Sequence, residues 1–242
     1  MLNPLPDTDS LLQELNGIRL TGVILTYELK IRKLKKAIDA LKDDIAEYHM
    51  FLASLYCLTG ETEKMKYHGN ISMQHANAGQ IIYHSVTLGN SGFFSESRNL
   101  IDLLTEDNFI IDDKPDIHLI NMSLANQAYK MVLPIVNKYK TTELPLAASV
   151  HQTLQKYDIA EKTILSMLDI AGTVLRDHNL IKNSDLVIIY NDRLEVLNIS
   201  IPVSLQPTEM VDIEWEFMNK LFTQMPEAPV QNIHIGFTSV QT

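Results

Sequence analysis

The residues best equipped for chemistry in this chain are its eight histidines, its single cysteine and its paired acids. His68 and His75 are seven residues apart, which on a helix puts them on one face but about 10 Å apart along the axis, too far to share one ion directly. His84 falls nine residues beyond His75, on the opposite side, and no HExxH pairing occurs. With Cys57 alone, an intramolecular disulfide is impossible and a CxxC pair or cysteine-rich zinc site is excluded. A thiolate nucleophile needs a base and an electropositive setting, whereas Cys57 lies in an apolar helical stretch ending at Gly60 and reads as a buried structural thiol. Asp43-Asp44 and Asp112-Asp113 are adjacent pairs whose side chains leave a helix on different sides, an arrangement of solvated acids rather than of an acid/base couple. No P-loop, GxGxxG, GxSxG or kinase-type motif is present. No catalytic residue, metal site or cofactor is therefore assigned, and a binding scaffold is expected ahead of an enzyme that lacks short motifs.

Two groups of residues are candidates for contacting a partner. The first is the basic run Lys30, Arg32, Lys33, Lys35 and Lys36, followed by Asp39, Asp43, Asp44 and Glu47. Lys33 and Lys36 represent its capacity to hold a phosphate backbone or an acidic protein. The competing reading is a solvated helix face, with Lys35 and Lys36 three or four residues from Asp39 and within ion-pairing reach. The second group is the pairs Tyr67-His68 and Tyr83-His84, aromatic residues of the kind enriched at recognition hot spots, although packing between helices explains them equally well.

Length and composition bound the setting. The 242 residues suit one large domain or two smaller ones, and 45% hydrophobic with 21% charged residues is the range of folded globular chains. A net charge of −10 and a pI near 5.2 disfavour binding nucleic acid or anionic lipid over the whole surface. The lead-in Met1-Leu2-Asn3-Pro4-Leu5-Pro6-Asp7 has no basic segment followed by an apolar run, and nowhere do about 18 apolar residues follow one another. No membrane partner is expected, and a cytoplasmic location is.

The elements that must position these residues are mostly helices. Apolar residues recur at Ile24, Tyr27, Ile31, Leu34, Ile38, Leu41, Ile45, Tyr48, Leu52 and Leu55 in steps of three and four, a helical stripe close to a heptad. It suits either an internal antiparallel packing face or the seam of a homodimer through a long helix over 24–55. Leu52, Ala53, Tyr56 and Gly60 then set out a large residue, a small one, an aromatic and a helix-ending glycine. Ser85, Leu88, Gly92, Ser97 and Ile101 repeat the plan. Over roughly residues 45–105 this resembles the tetratricopeptide-repeat family, which implies paired antiparallel helices stacked into a curved protein-binding scaffold. Several features depart from the family pattern, among them a Gly60-to-Gly92 spacing shorter than the family's usual period. Met65 and Gly69 stand where it prefers a small residue and an aromatic, His84 stands where leucine is usual, and the repeat-closing proline is missing.

After an acidic, proline-containing loop at 105–116, helical patterns return over 119–131, 144–156 and 159–175, with Pro134 as a kink or stop. The texture then changes. Leu186–Tyr190 and the alternating Leu197, Ile199 and Ile201 read as a β-hairpin, Pro207 opens a helix with Val211, Trp215, Met218 and Phe222 as its apolar face, and Val230–Val240 reads as a last strand. Phe217 puts apolar bulk on the other side of that helix, so more than one element must cover it. The expected fold is mainly α with a C-terminal α+β unit. Stacked antiparallel helical hairpins occupy 1–178, and a small β-β-α-β segment, with an antiparallel sheet, occupies 179–242. The expected function is a non-catalytic adaptor that binds another protein. A nucleic-acid-associated regulator using residues 30–36 and an acidic inhibitor or immunity protein are the alternatives.

Overall fold

The computed structural model describes residues 8–111, 113–140 and 144–240, and the side chains of all of these except 144–146. The lead-in Met1–Asp7 and Asp112 lie outside the described residues. Helix α1 (Thr8–Arg19) buries Leu11 and Leu15, one turn apart. Helix α2 (Glu28–Ile38) buries Leu34 and Ile38. The chain then passes through a 3-10 turn, Asp39–Leu41, and restarts as α3 (Ile45–Leu58), where the Asp44 carboxylate accepts the Glu47 amide at 2.9 Å. This cap ends the stripe's claim to be one helix. The expected continuous helix over 24–55 is instead two helices folded together, so a heptad seam has no single rod to run along. Folding back lets Leu34, Ile38 and Leu41 join Phe51, Leu52, Leu55, Leu11 and Leu15 in one apolar cluster. Tyr27 and Ile45, at the ends of the two helices, stay exposed.

Two hairpins follow. Helix α3 turns at Gly60 into α4 (Thr62–Met73), and α5 (Ala78–Asn90) turns at Gly92 into α6 (Phe94–Ile101). Both glycines have positive φ, +73° and +74°, the left-handed region where a side chain is strained. Helix α3 packs along both α4 and α5, which stacks one hairpin on the other. The acidic stretch holds a 3-10 turn, Glu106–Phe109, and a two-residue antiparallel pair, β1 (Ile110–Ile111) with β2 (Lys114–Pro115). Helices α7 (Ile117–Ala125) and α8 (Tyr129–Tyr139) are separated at Gln127, whose φ is 60°, while Pro134 sits inside α8. Helices α9 (Leu144–Lys156) and α10 (Glu161–Asp177) complete the helical part.

The C-terminal segment is β3 (Val187–Asn191), β4 (Val196–Val203), α11 (Pro207–Gln224) and β5 (Ile233–Ser239), in the expected β-β-α-β order. Strand order is β3-β4-β5. The sheet is mixed rather than antiparallel: β3 and β4 form the hairpin, but β5 runs parallel to β4, Leu197 opposite Ile233 and Val203 opposite Ser239. A helical crossover returns the chain to the end of the sheet where β4 began, and a strand started there must run parallel. One apolar core runs from Phe94 through α10, the sheet and α11 to Phe237, so segments on both sides of residue 178 share it. The chain is mainly α with a C-terminal α+β unit.

Candidate interaction surface

The first aromatic pair finds a partner that sequence spacing did not suggest. Crossing α3 over α4 brings His49 to His68, with their Nδ1 atoms 2.7 Å apart. The ring centroids are 4.9 Å apart at an interplanar angle of 23°, so the imidazoles lie nearly in one plane, edge to edge. One ring must donate and the other accept, which requires at least one of them to be neutral. Burial lowers the pKa of both, and for His68 the charges of His49, Lys35 and Lys64 act in the same direction. Tyr56 stacks on His68 at 5.3 Å and Tyr67 meets its edge at 5.1 Å. Tyr67 is exposed. Among the described residues no three His, Cys, Asp or Glu side chains gather where an ion would sit.

The second aromatic pair turns inward. His84 is buried, and Tyr83 is half-buried against Phe51 at 6.3 Å. A Cβ on Gly69 would run into the His84 ring, with Nδ1 at 3.0 Å and the Cε1 and Nε2 atoms closer still. The glycine that departs from the repeat pattern in one hairpin thus makes room for the histidine that departs from it in the next. This pair packs between the stacked hairpins, with His84 buried and Tyr83 half-buried. Cys57 is buried beside Ser91, whose hydroxyl lies 3.0 Å from Sγ, and burial pushes its thiol up to about 11. Such a thiol is protonated at neutral pH and unsuited to nucleophilic attack.

Lys33, Lys35 and Lys36 are exposed on α2. Lys30 pairs with Glu14 and Arg32 with Glu28, the latter at 2.7 Å. Asp39, expected to pair with Lys35 or Lys36, instead lies 3.3 Å from Lys42. Reversing the charges of Lys33 and Lys36 is expected to change stability by less than about 1 kcal/mol, because exposed charges interact weakly through water. Denaturant melts of Lys33→Glu/Lys36→Glu check this, and a larger loss would show that the run packs rather than hydrates.

The largest departure from the sequence reading is on α11. The buried face is Ile213, Phe217 and Leu221, turned toward α10 and the sheet. Of the four residues expected there, Val211, Trp215 and Phe222 are exposed, Trp215 at 71%, and Met218 is half-buried. The helix is apolar on both sides, and the sheet covers one of them. The uncovered side borders a groove of about 510 Å³ between α11 and β5, lined by Met210, Val211, Trp215, Met218 and Phe237 with Glu214 among them. Strand β5 is the edge of the sheet on this side. The Leu197 amide donates to Asn232 O at 2.8 Å and the Val240 amide to Val203 O at 3.0 Å. That register sends the backbone groups of Ile235, Phe237 and Ser239 away from β4. One of these outward donors is already occupied: the Phe237 amide donates to Glu214 Oε1 at 2.5 Å. Burial raises the Glu214 pKa and that hydrogen bond opposes the rise.

No protein-family model matches the chain, and no curated protein or solved structure matches it either. The groove and the histidine pair therefore stand on their own geometry. Of the residues singled out from sequence, Tyr67 and His68 come together with His49 and Tyr56, while Tyr83 and His84 pack between hairpins and Lys33 and Lys36 stand in solvent. The groove residues were missed as a surface. Their signal was the apolar bulk on both sides of one helix.

Proposed function

We propose that this chain is a non-catalytic protein-interaction adaptor in which tetratricopeptide-like stacked hairpins and the C-terminal sheet hold the α11/β5 groove, and that the groove receives an extended, basic and apolar segment of another protein. The observation that carries this reading is Trp215 exposed beside Val211, Met210 and Met218 along an open sheet edge. An apolar patch of this kind next to unpaired strand donors and acceptors suits strand addition, in which backbone bonds give affinity and alternate side chains enter the groove. Charge selects the occupant. Among the described residues Glu214 is the one titratable side chain lining the groove, and Glu209 and Asp212 are exposed on the same helix. A second copy would set acidic helix against acidic helix, whereas a lysine or arginine from a partner would pair with Glu214 as it leaves the Phe237 amide. Membrane association has no support from the helices, none of which among the described residues is long and apolar enough to cross a bilayer. A cytoplasmic setting belongs to the same proposal.

A photo-crosslinking residue placed at Val211 in the full chain, irradiated in its native cells, tests the reading. The expected product is a crosslink to a basic, extended segment of a different protein, lost on Trp215→Ser and kept on Lys33→Glu/Lys36→Glu. Trp215→Ser itself should move stability by no more than about 0.5 kcal/mol, as for other exposed positions. Crosslinks only to a second copy of the chain, or a product that survives Trp215→Ser, would overturn the proposal. Loss of the product on charge reversal alone would favour the basic face of α2.

A further inference from the structure

Away from the groove, α1, α3 and α5 border a small, half-open cavity of about 20 Å³, enough for one occupant slightly larger than water. Arg19, Ser54, Cys57, Tyr83 and Asn90 are among the side chains that line it, and among the described residues no Asp or Glu does. Arg19 Nη1 donates to Asn183 O at 3.2 Å, but Arg19 Nε is buried with no partner, and Arg19 makes no ion pair among the described residues. A second cation stands behind the cavity wall. The Lys182 amide donates to Asn90 O at 3.0 Å, and Lys182 Nζ, in a residue only 7% exposed, donates to Ser184 O at 2.7 Å. Burial pushes the Lys182 pKa down to about 8 against the opposing effect of Asp185, the stronger of the nearby charges, while Arg19 adds a smaller lowering and Cys57 a smaller rise. Two cations therefore lie close together, Lys182 within the field of Asp185 and neither in ion-pair contact with a carboxylate among the described residues.

The neutral groups around the cavity are suited to a negative occupant. The Cys57 thiol and Tyr83 phenol are both held in their protonated forms, since burial raises each pKa. The Ser54 hydroxyl lies 3.4 Å from Thr87 Oγ1 and also shares a hydrogen bond with the Tyr83 phenol, while Thr87 donates to Tyr83 O at 3.0 Å, so the Ser54 and Tyr83 hydroxyls stand side by side at the cavity. Asn90 is 3% exposed, and its Oδ1 has no partner. An amide turn exchanges Oδ1 for the Nδ2 donor within the same volume. A water in this cavity would satisfy Arg19 Nε but bring no counter-charge to Arg19, whereas an anion supplies both an acceptor and the charge that Arg19 lacks among the described residues.

We infer that the cavity between α1, α3 and α5 is a binding site for one small monovalent anion of chloride size, held by the Arg19 Nε–H and by the hydroxyls of Ser54 and Tyr83. The site is independent of the α11/β5 groove and ties the end of α1 to the first hairpin pair. Chloride itself is the probe. The full chain should broaden the ³⁵Cl resonance in a saturable way, and Arg19→Gln should reduce that broadening at least fivefold while Lys33→Glu/Lys36→Glu leaves it unchanged. Tyr83→Phe removes one donor with little change of volume and should give an intermediate loss. Because Arg19→Gln removes a structural bond to Asn183 as well, the unmodified protein supplies a second measurement. Its melting temperature should rise by several degrees in sodium chloride over sodium gluconate at equal ionic strength. Equal melting temperatures in the two salts, or broadening indifferent to Arg19→Gln, would mean that the cavity holds only water and would overturn the inference.

Discussion

Replacing Gly172 with alanine should cost the fold about 3 kcal/mol, at the upper end of what overpacking a tight contact costs. In an ordinary helix the same change gains up to about 1 kcal/mol, because alanine loses less backbone entropy than glycine. Position 172 reverses the sign because α10 crosses the α5–α6 turn backbone to backbone. A Cβ there would lie 2.8 Å from Gly92 Cα and closer still to Gly92 O. Neither is the far end of a flexible side chain, so helix or turn must move. Moving them strains the contacts beside the glycine. Asp169 Oδ1 accepts the Ser95 amide at 3.0 Å, Arg176 Nη1 donates to Gly92 O at 2.6 Å, and its guanidinium lies 4.0 Å over the Phe93 ring. Asp169, Gly172 and Arg176 follow one another at three and four residues, so one stripe of α10 holds the second hairpin against the core that carries the sheet. Urea melts should show a lower midpoint at unchanged slope. Gly17→Ala on α1, where a Cβ meets nothing within 4 Å, should be neutral or stabilising and serves as the control. A loss below about 1 kcal/mol for Gly172→Ala would mean that α10 and the turn can slide apart freely.

The stripe that α10 uses was visible in the sequence only as helical periodicity. What periodicity conveys is which side of an element is buried, and where one side was apolar it conveyed this well. Leu34, Ile38, Leu52 and Leu55 are buried as their spacing required, and so are Leu197, Ile199 and Ile201 on β4. The stripe gave no warning of the break at 39–44, because a 3-10 turn keeps apolar residues in step. The local signal there was the polar cluster around Asp44, with Glu47 three residues on, a helix-start pattern. On α11 the reading chose the wrong side because both sides carry bulk, and only the sheet beneath decides which is buried. The parallel pairing of β5 was equally hidden, since inward and outward side chains alternate in the same way in either direction. His49 and His68, nineteen residues apart, meet only once α3 and α4 cross. Gly69 and His84 looked like two unrelated departures from a repeat until the hairpins stacked them together.

That last pair sets the pH dependence of the fold. His84 is buried, 4% exposed, with an Nδ1 that has no hydrogen-bond partner, and burial lowers its pKa from 6.5 to about 4. In the unfolded chain the ring binds a proton near pH 6.5, and in the folded chain only near pH 4. The unfolded state therefore holds more protons throughout that window, and stability falls as pH falls through it. Above pH 6.5 both states leave the ring neutral, and its contribution is complete. Below about pH 4 both are charged, and the contribution is gone. At 1.36 kcal/mol for each pKa unit, the change amounts to about 3 kcal/mol between the two limits. His49 and His68 work in the same direction, since their pKa values are lowered too and their mutual hydrogen bond fails once both rings are protonated. Carboxylates add their own acid sensitivity at lower pH, so the informative quantity is the difference between the protein and His84→Met, which keeps the bulk against Gly69 and removes the proton site. Urea melts from pH 7.5 to pH 4 should show the protein losing stability more steeply than the variant, with the gap opening below pH 6.5. Parallel curves, or a His84 ring resonance that titrates near 6.5 in the folded protein, would show that the ring reaches water and that Gly69 seats it at a surface.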